Sequence, residues 1–251
     1  MKIPIMRGIM DRRILANFHV DAGVLSAVVP APFRPKLIHG MGIAGICLIR
    51  LRQLRPRFVP RFLGLGSENA AHRIAVEWEQ DGELREGVYI PRRDSSSWLN
   101  TLLGGRLFPG FHYHARFTTR ETDDFYSVLM ESDDGETRLA VEGRVTAELP
   151  GSSVFGSLEE ASDFFEGGSL GFSDTKKPGR YHGLELHTRN WKVESLSVEK
   201  IESSFFDNQD LFPAGSASFD CALLMRQIDH EWHERPTLCC QDVEPGKQNA
   251  G

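Results

Sequence analysis

Between Ala70 and Glu79 the chain alternates, with His72, Ile74, Val76 and Trp78 on one face and Arg73, Ala75, Glu77 and Glu79 on the other. Side chains two apart on a strand share a face, so this stretch reads as a half-buried strand. Asp81-Gly82 follows, and Leu84 to Pro91 returns as a second strand. Asp-Gly between such runs signals a hairpin, because its tight turn needs positive φ at both central residues. The device recurs downstream: Phe125 to Met130, then Asp134-Gly135, then a return over Thr137 to Ala147. Two hairpins among many strand-like runs point to a mainly β, α+β fold of antiparallel sheet.

Further strands are expected over Gly40 to Leu54, Leu184 to Asn190, Val193 to Phe205 and Ala217 to Ile228. The GMGIAG opening of the first lacks phosphate-loop spacing, and close strand packing explains its glycines. A few helices flank this sheet. Asp21 caps a short one carrying Val24, Leu25 and Val28, which Pro30 and Pro32 end. Asp94 or Ser95 caps a second, stopped by Gly104. Ser157 and Glu160 form a capping box for a third, stopped by Gly167. Gly171 to Gly183 reads as polar loop, and the chain after Gln241 as disordered. No linker interrupts residues 1–236, so one domain is expected there, with 237–251 as a tail.

Net charge is -6, from 29 Lys+Arg against 35 Asp+Glu, which offers no concentrated basic face for nucleic acid. The local exception is Arg50 to Arg61, with arginines at 50, 52, 55, 57 and 61. It reads as a solvated strand end and loop; an anionic-ligand or partner patch is the sharper alternative. The four cysteines show no CxxC spacing, so neither zinc nor a disulfide framework follows. MKIPIMRG lacks an apolar signal region, and no run reaches membrane-spanning length. A soluble cytoplasmic protein with no membrane partner is expected.

The chemistry concentrates in GGRLFPGFHYHAR, residues 104 to 116. On a strand His112 and His114 project together and Tyr113 projects the other way. An H-x-H strand is a two-point metal clamp, and His72, Glu68 or Glu77 would supply a third ligand. The competing readings are general acid–base histidines and histidines hydrogen-bonded in a polar cavity wall. No metal or cofactor motif accompanies them, and none is assigned. Arg92, Arg93 and Arg106 are candidates to clamp a carboxylate. Ion pairing with Glu68, Glu77, Glu86 or Asp94 is the alternative, preferred for Arg93. HEWHE at 230 to 234 lacks the spacing of a zinc protease.

Several stretches together carry a resemblance: DRRILANFHVDAGVLSAVVPAPFRP, SENAAHRIAVEWE, REGVYIPRRDSSSWLN, GGRLFPGFHYHARF and DCALLMRQIDHEWH. In their order the chain resembles the YqjF-like proteins, an uncharacterised family of the acetoacetate decarboxylase-like superfamily. The resemblance spans Arg7 to Trp232. It implies an antiparallel β-cone or barrel with flanking helices and a ligand inside the cone. The superfamily's decarboxylases carry a strand of pattern G-R-E-V-W-G-F/Y-P-K-K. Gly105, Arg106, Gly110 and Phe111 match it, but Tyr113 and His114 stand where the two lysines fall. In those enzymes the first lysine forms a Schiff base with the substrate ketone, and the second lowers its pKa. Tyrosine and histidine cannot form that imine. Lys176-Lys177 reads as a solvated loop pair.

The resemblance and the residues together suggest action on a small carboxylate or carbonyl compound without a Schiff base. His112, His114, Arg106, Tyr113 and Glu86 are the candidate catalytic residues; the superfamily's cavity-facing glutamate suggests Glu86. Arg92, Tyr89, Glu68 and His72 are candidates to bind substrate. The alternative is a non-catalytic module that keeps the cavity for a small-molecule ligand. A homo-oligomer is compatible with the resemblance.

Overall fold

Alternation along the chain resolves into one 13-stranded sheet in the computed structural model, which describes residues 4–98 and 110–240. The strands are β1 (Met6–Asp21), β2 (Arg34–Pro35), β3 (Leu37–Ile38), β4 (Met41–Pro56), β5 (Leu65–Gln80), β6 (Glu83–Ser95) and β7 (His112–Glu121). They continue as β8 (Phe125–Ser132), β9 (Arg138–Thr146), β10 (Leu170–Asp174), β11 (Arg180–Thr188), β12 (Glu194–Ser203) and β13 (Ala217–Cys239). Helix α1 (Ala22–Val28) follows β1, and α2 (Leu158–Gly167) precedes β10.

The main path of pairing runs β11-β10-β6-β7-β8-β9-β12-β13-β1-β4-β5-β2. Two further pairings, β5 with β6 and β11 with β13, close that path on itself. One circuit is β13-β1-β4-β5-β6-β10-β11; the other leaves β6 through β7, β8, β9 and β12 to β13. Among the described residues only β6–β7 and β6–β10 are parallel.

Because β1 and β4 belong to both circuits, both of their faces are covered. Ile14, Ala16 and Val20 pack with Ile46, Leu48, Val128 and Met130 on one side. Leu15 packs with Cys47, Ala75 and Leu223 on the other, under Ala161 and Phe165 of α2. Double coverage explains why these strands read as near-continuous apolar runs. A shift in register between Met10 and Arg12 leaves Asp11 as a bulge. A one-residue insertion flips every side chain before it to the other face. Met10 therefore joins Met225 and Leu184, and Arg13 reaches that same Met225.

Local signals hold where they rest on backbone geometry. Asp21 accepts from the amides of Gly23 and Val24 and caps α1. Ser157 caps α2 by accepting from the Glu160 amide. Asp81 and Gly82 take φ of 53° and 76°, the hairpin conformation their sequence predicts.

Three expected boundaries differ. Asp94 and Ser95 are not helix caps but the end of β6. Asp94 is buried against Arg92, and Ser95 donates to Asn69 Oδ1 at 2.8 Å. Residues 99–109, which hold most of that expected helix, lie outside the described residues. Much of the polar loop expected at 171–183 is sheet, because Phe172 and Tyr181 bury themselves in the core. Strand β13 runs to Cys239 with Leu238 buried, so 237–239 is sheet and not tail. Residues 241–251 lie outside the described residues.

Candidate functional site

A cavity of about 60 Å³ opens where β4, β5, β6 and the start of β7 meet. Cys47, Asn69, Arg93, Asp94, His112 and Trp232 line it. One water needs about 10–15 Å³ by the same measure, so the space admits a few heavy atoms. Gly110 sets the approach of β7, with φ of 90° and an imaginary Cβ only 2.7 Å from the Ser173 Cβ. A side chain there would be both strained and obstructed.

Cys47 and Arg93 line this cavity, and Arg13, Arg73 and Arg93 are all near enough to the Cys47 thiol to interact with it. Arg13 Nε donates to Cys47 Sγ at 3.3 Å. Arg93 Nε and Nη2 each donate to Ser173 Oγ at 3.3 Å. Arg73 donates to Asn17 Oδ1, and its guanidinium lies 4.6 Å from the Phe165 ring centroid. Among the described residues none of the three has a carboxylate within 4.0 Å. Burial pushes Arg93 and Arg73 down to about 10, and the charge of Arg13 adds to the effect on Arg73. Buried guanidinium ions without counter-ions are costly to hold. Of the three, Arg93 reaches the cavity wall, which it shares with Asp94.

The other internal arginines are neutralised. Arg12 pairs with Glu68 and lies 3.1 Å from Glu121. Arg50 pairs with Glu68 and makes two 2.8 Å bonds to Glu121. Arg50 is therefore part of an internal ion network, not of a solvated strand end. Glu68, expected to bind substrate, is paired with Arg12 and Arg50 and is not among the residues that line this cavity.

The remaining expected site residues divide. His112 stands in the cavity wall. His114 stacks on Trp98, with ring centroids 4.0 Å apart, and its Nδ1 is 2.7 Å from Asp133 Oδ2. Tyr113 faces the opposite side of β7, exposed, with Arg92 3.9 Å from its ring centroid. Arg92 is held by Asp94 and Asp134 at 3.0 and 2.8 Å, so its fork is already filled by the protein's own carboxylates. Burial raises the Asp94 pKa, and Arg92 opposes that rise.

Glu86 lies away from the cavity, on the half of β6 beside α2, in a 2.6 Å pair with Lys36. Tyr89 is a core residue whose hydroxyl donates to Asp174 at 2.7 Å. His72 is fully buried beside Phe205, and its ring nitrogens have no hydrogen-bond partner among the described residues. Burial, helped by the charge of Arg92, pushes its pKa down to about 3. Strand alternation turns His72 to the face opposite Arg73, into the other circuit's core. Arg106 lies outside the described residues.

Cys47, Arg13 and Arg73 escape a reading of the sequence alone. Arg73 sits on the polar half of an alternating strand, which normally faces water; α2 covers it instead. The ion pair expected of Arg93 with Glu68, Glu77, Glu86 or Asp94 does not form among the described residues, where those carboxylates pair with Arg50, Arg34, Lys36 and Arg92.

No match was found among functionally curated proteins. Solved structures with a similar fold include an acetoacetate decarboxylase-like enzyme from Sphingomonas wittichii RW1, 11% identical, with a TM-score of 0.58. That match covers 95% of this chain and 93% of the other. Acetoacetate decarboxylase from Legionella pneumophila is 10% identical over 94% of this chain and 87% of its own, with a TM-score of 0.61. The enduracididine biosynthesis enzyme MppR, complexed with pyruvate, is 7% identical over 96% and 92%, with a TM-score of 0.60. Identities this low establish a shared acetoacetate decarboxylase-like fold. The DUF2071 family model, described as an uncharacterized conserved protein, matches residues 10–227. By that match over most of its length, the chain belongs to the DUF2071 family.

Proposed function

We propose that this chain binds a small carboxylate in the cavity beside Cys47 and acts on it by proton transfer through His112, without a Schiff base. The observation that carries the reading is the convergence of Arg13, Arg73 and Arg93 with no carboxylate partner among the described residues. A guanidinium fork fits a carboxylate in two parallel hydrogen bonds. Arg93, which lines the cavity, is the direct clamp, and Arg13 and Arg73 deepen the potential behind it. The pyruvate found with the similarly folded MppR is a ligand of this charge and size.

The lysines among the described residues lie elsewhere. Lys36 pairs with Glu86 and Lys200 with Glu202, while Lys176, Lys177 and Lys192 are exposed. Imidazole is the side chain that most often serves as a general base, and His112 is the one in the cavity wall, so it is the group assigned to take a proton from a carbon next to a carbonyl group. The negative charge that develops on the carbonyl oxygen would be stabilised by Arg93.

Deuterium exchange at the pyruvate methyl group, followed by NMR in D2O, tests this reading. Wild type should accelerate exchange, and His112→Ala should abolish the acceleration while still binding pyruvate. Binding without exchange in the wild type would leave a ligand-binding module. Exchange that survives His112→Ala would remove His112 from the chemistry.

A further inference from the structure

A second cleft, of about 310 Å³, lies among the bulged strands β1, β4 and β13, and Arg7, Arg55, Arg61 and Asp229 line it. Among the described residues none of its three arginines has a carboxylate within 4.0 Å. Arg55 donates instead to the carbonyls of Gln53 and Val59, at 2.7 and 3.1 Å. Arg61 donates to the Gln53 side-chain oxygen. One residue, Gln53, thus brackets two guanidinium groups at the rim. Gln53 does so from a left-handed backbone, with φ of 55°, and Gln227 on the same cleft has φ of 54°. Such conformations are uncommon for residues other than glycine, and they concentrate at ligand clamps. Gly64 makes the close approach feasible, because a Cβ there would sit 2.5 Å from the Gln53 backbone.

We infer that this cleft is a binding site for a phosphate monoester. Three guanidinium charges against the one carboxylate of Asp229 leave an excess of two, which matches a dianion better than a monocarboxylate. Arginine forks also fit phosphate oxygens in pairs. The site is separate from the cavity at Cys47 and does not depend on the function proposed for it. Its phosphate has two sources to distinguish. Phe58 and Phe62, on the loop between Arg55 and Gly64, are 82% and 84% exposed. Aromatic side chains beside a phosphate site suit a lipid headgroup, whereas the cleft alone suits a soluble phosphorylated metabolite.

The test is calorimetric titration of the full chain with inorganic phosphate, repeated on Arg7→Ala, Arg61→Ala and Arg93→Ala. Saturable binding should weaken about tenfold or more in the first two, and Arg93→Ala should match wild type. Arg61 is exposed, so its loss should leave the fold intact, as an unchanged melting temperature would verify. In a second arm, the chain is floated with phosphatidylcholine vesicles with and without phosphatidic acid. Flotation that needs phosphatidic acid and is competed by phosphate assigns the lipid source; phosphate binding without flotation assigns a soluble ligand. The inference is overturned if neither phosphate nor these vesicles bind. It is equally overturned if phosphate binding survives both Arg7→Ala and Arg61→Ala, or if Arg93→Ala abolishes it.

Discussion

Arg93 and His112 are Cα partners across the parallel pairing of β6 with β7. Paired residues on adjacent strands share a face, so both side chains reach the wall of one cavity. The acid-base group and the carboxylate clamp of the proposed site therefore come from the junction between the two circuits of the sheet.

If the arginines hold a carboxylate beside Cys47, they should also hold a carboxylate-bearing alkylating reagent there. The ratio of iodoacetate to iodoacetamide modification rates at Cys47, followed by peptide mass spectrometry, should fall about tenfold in Arg93→Gln. Dividing by the neutral reagent removes any change in access to a thiol that is only 5% exposed. An unchanged ratio would mean that Arg93 does not steer anions to this thiol.

Glu68 serves stability. Glu68→Gln leaves Arg12 buried with Glu121 as its remaining partner. Breaking a buried pair costs about 3–5 kcal/mol, and the lower end applies because Glu121 stays. The urea midpoint should fall accordingly, at unchanged slope. A loss below about 1 kcal/mol would show that the network is open to water.

Glu86 provides the contrast, as a surface partner of Lys36. Glu86→Gln should change stability by less than about 1 kcal/mol. Pyruvate affinity should stay within about twofold by calorimetry. A loss of binding would return Glu86 to the site.

Sequence carried the parts of this fold that depend on one residue and its neighbours. Asp21, Ser157 and the Asp81-Gly82 turn act through their own backbones, and each stands where it was expected. The errors arise where distant strands decide. Asp94 followed by Ser95 looks like a helix start, yet Arg92 draws Asp94 into the end of β6. Arg13 shares a face with Met10 only because Asp11 bulges, and alternation cannot show that. The His112/His114 pair was legible as two groups on one face; that Trp98 and Asp133 would hold the second of them was not.

Two buried imidazoles predict acid sensitivity. Burial pushes His72 down to about 3 and His230 down to about 4, against about 6.5 for an unfolded chain. Both are neutral when folded, so between about pH 6.5 and those values the unfolded state binds more protons. Stability is therefore complete above about pH 6.5 and declines as pH falls through the window. At pH 5 each histidine should account for about 2 kcal/mol of loss relative to pH 7.5. His72→Leu should shrink the difference between urea unfolding free energies at those two pH values by that amount. An unchanged difference would show that His72 is protonated in the folded protein.

The central claim is that Arg93 binds a carboxylate in the cavity at Cys47. Calorimetric titration of pyruvate into wild type and Arg93→Ala tests it most directly, with melting temperatures showing that both are folded. The account predicts saturable binding to wild type, weakened about tenfold or more by Arg93→Ala, which is about 1.4 kcal/mol or more. Equal affinity in the two proteins would contradict it.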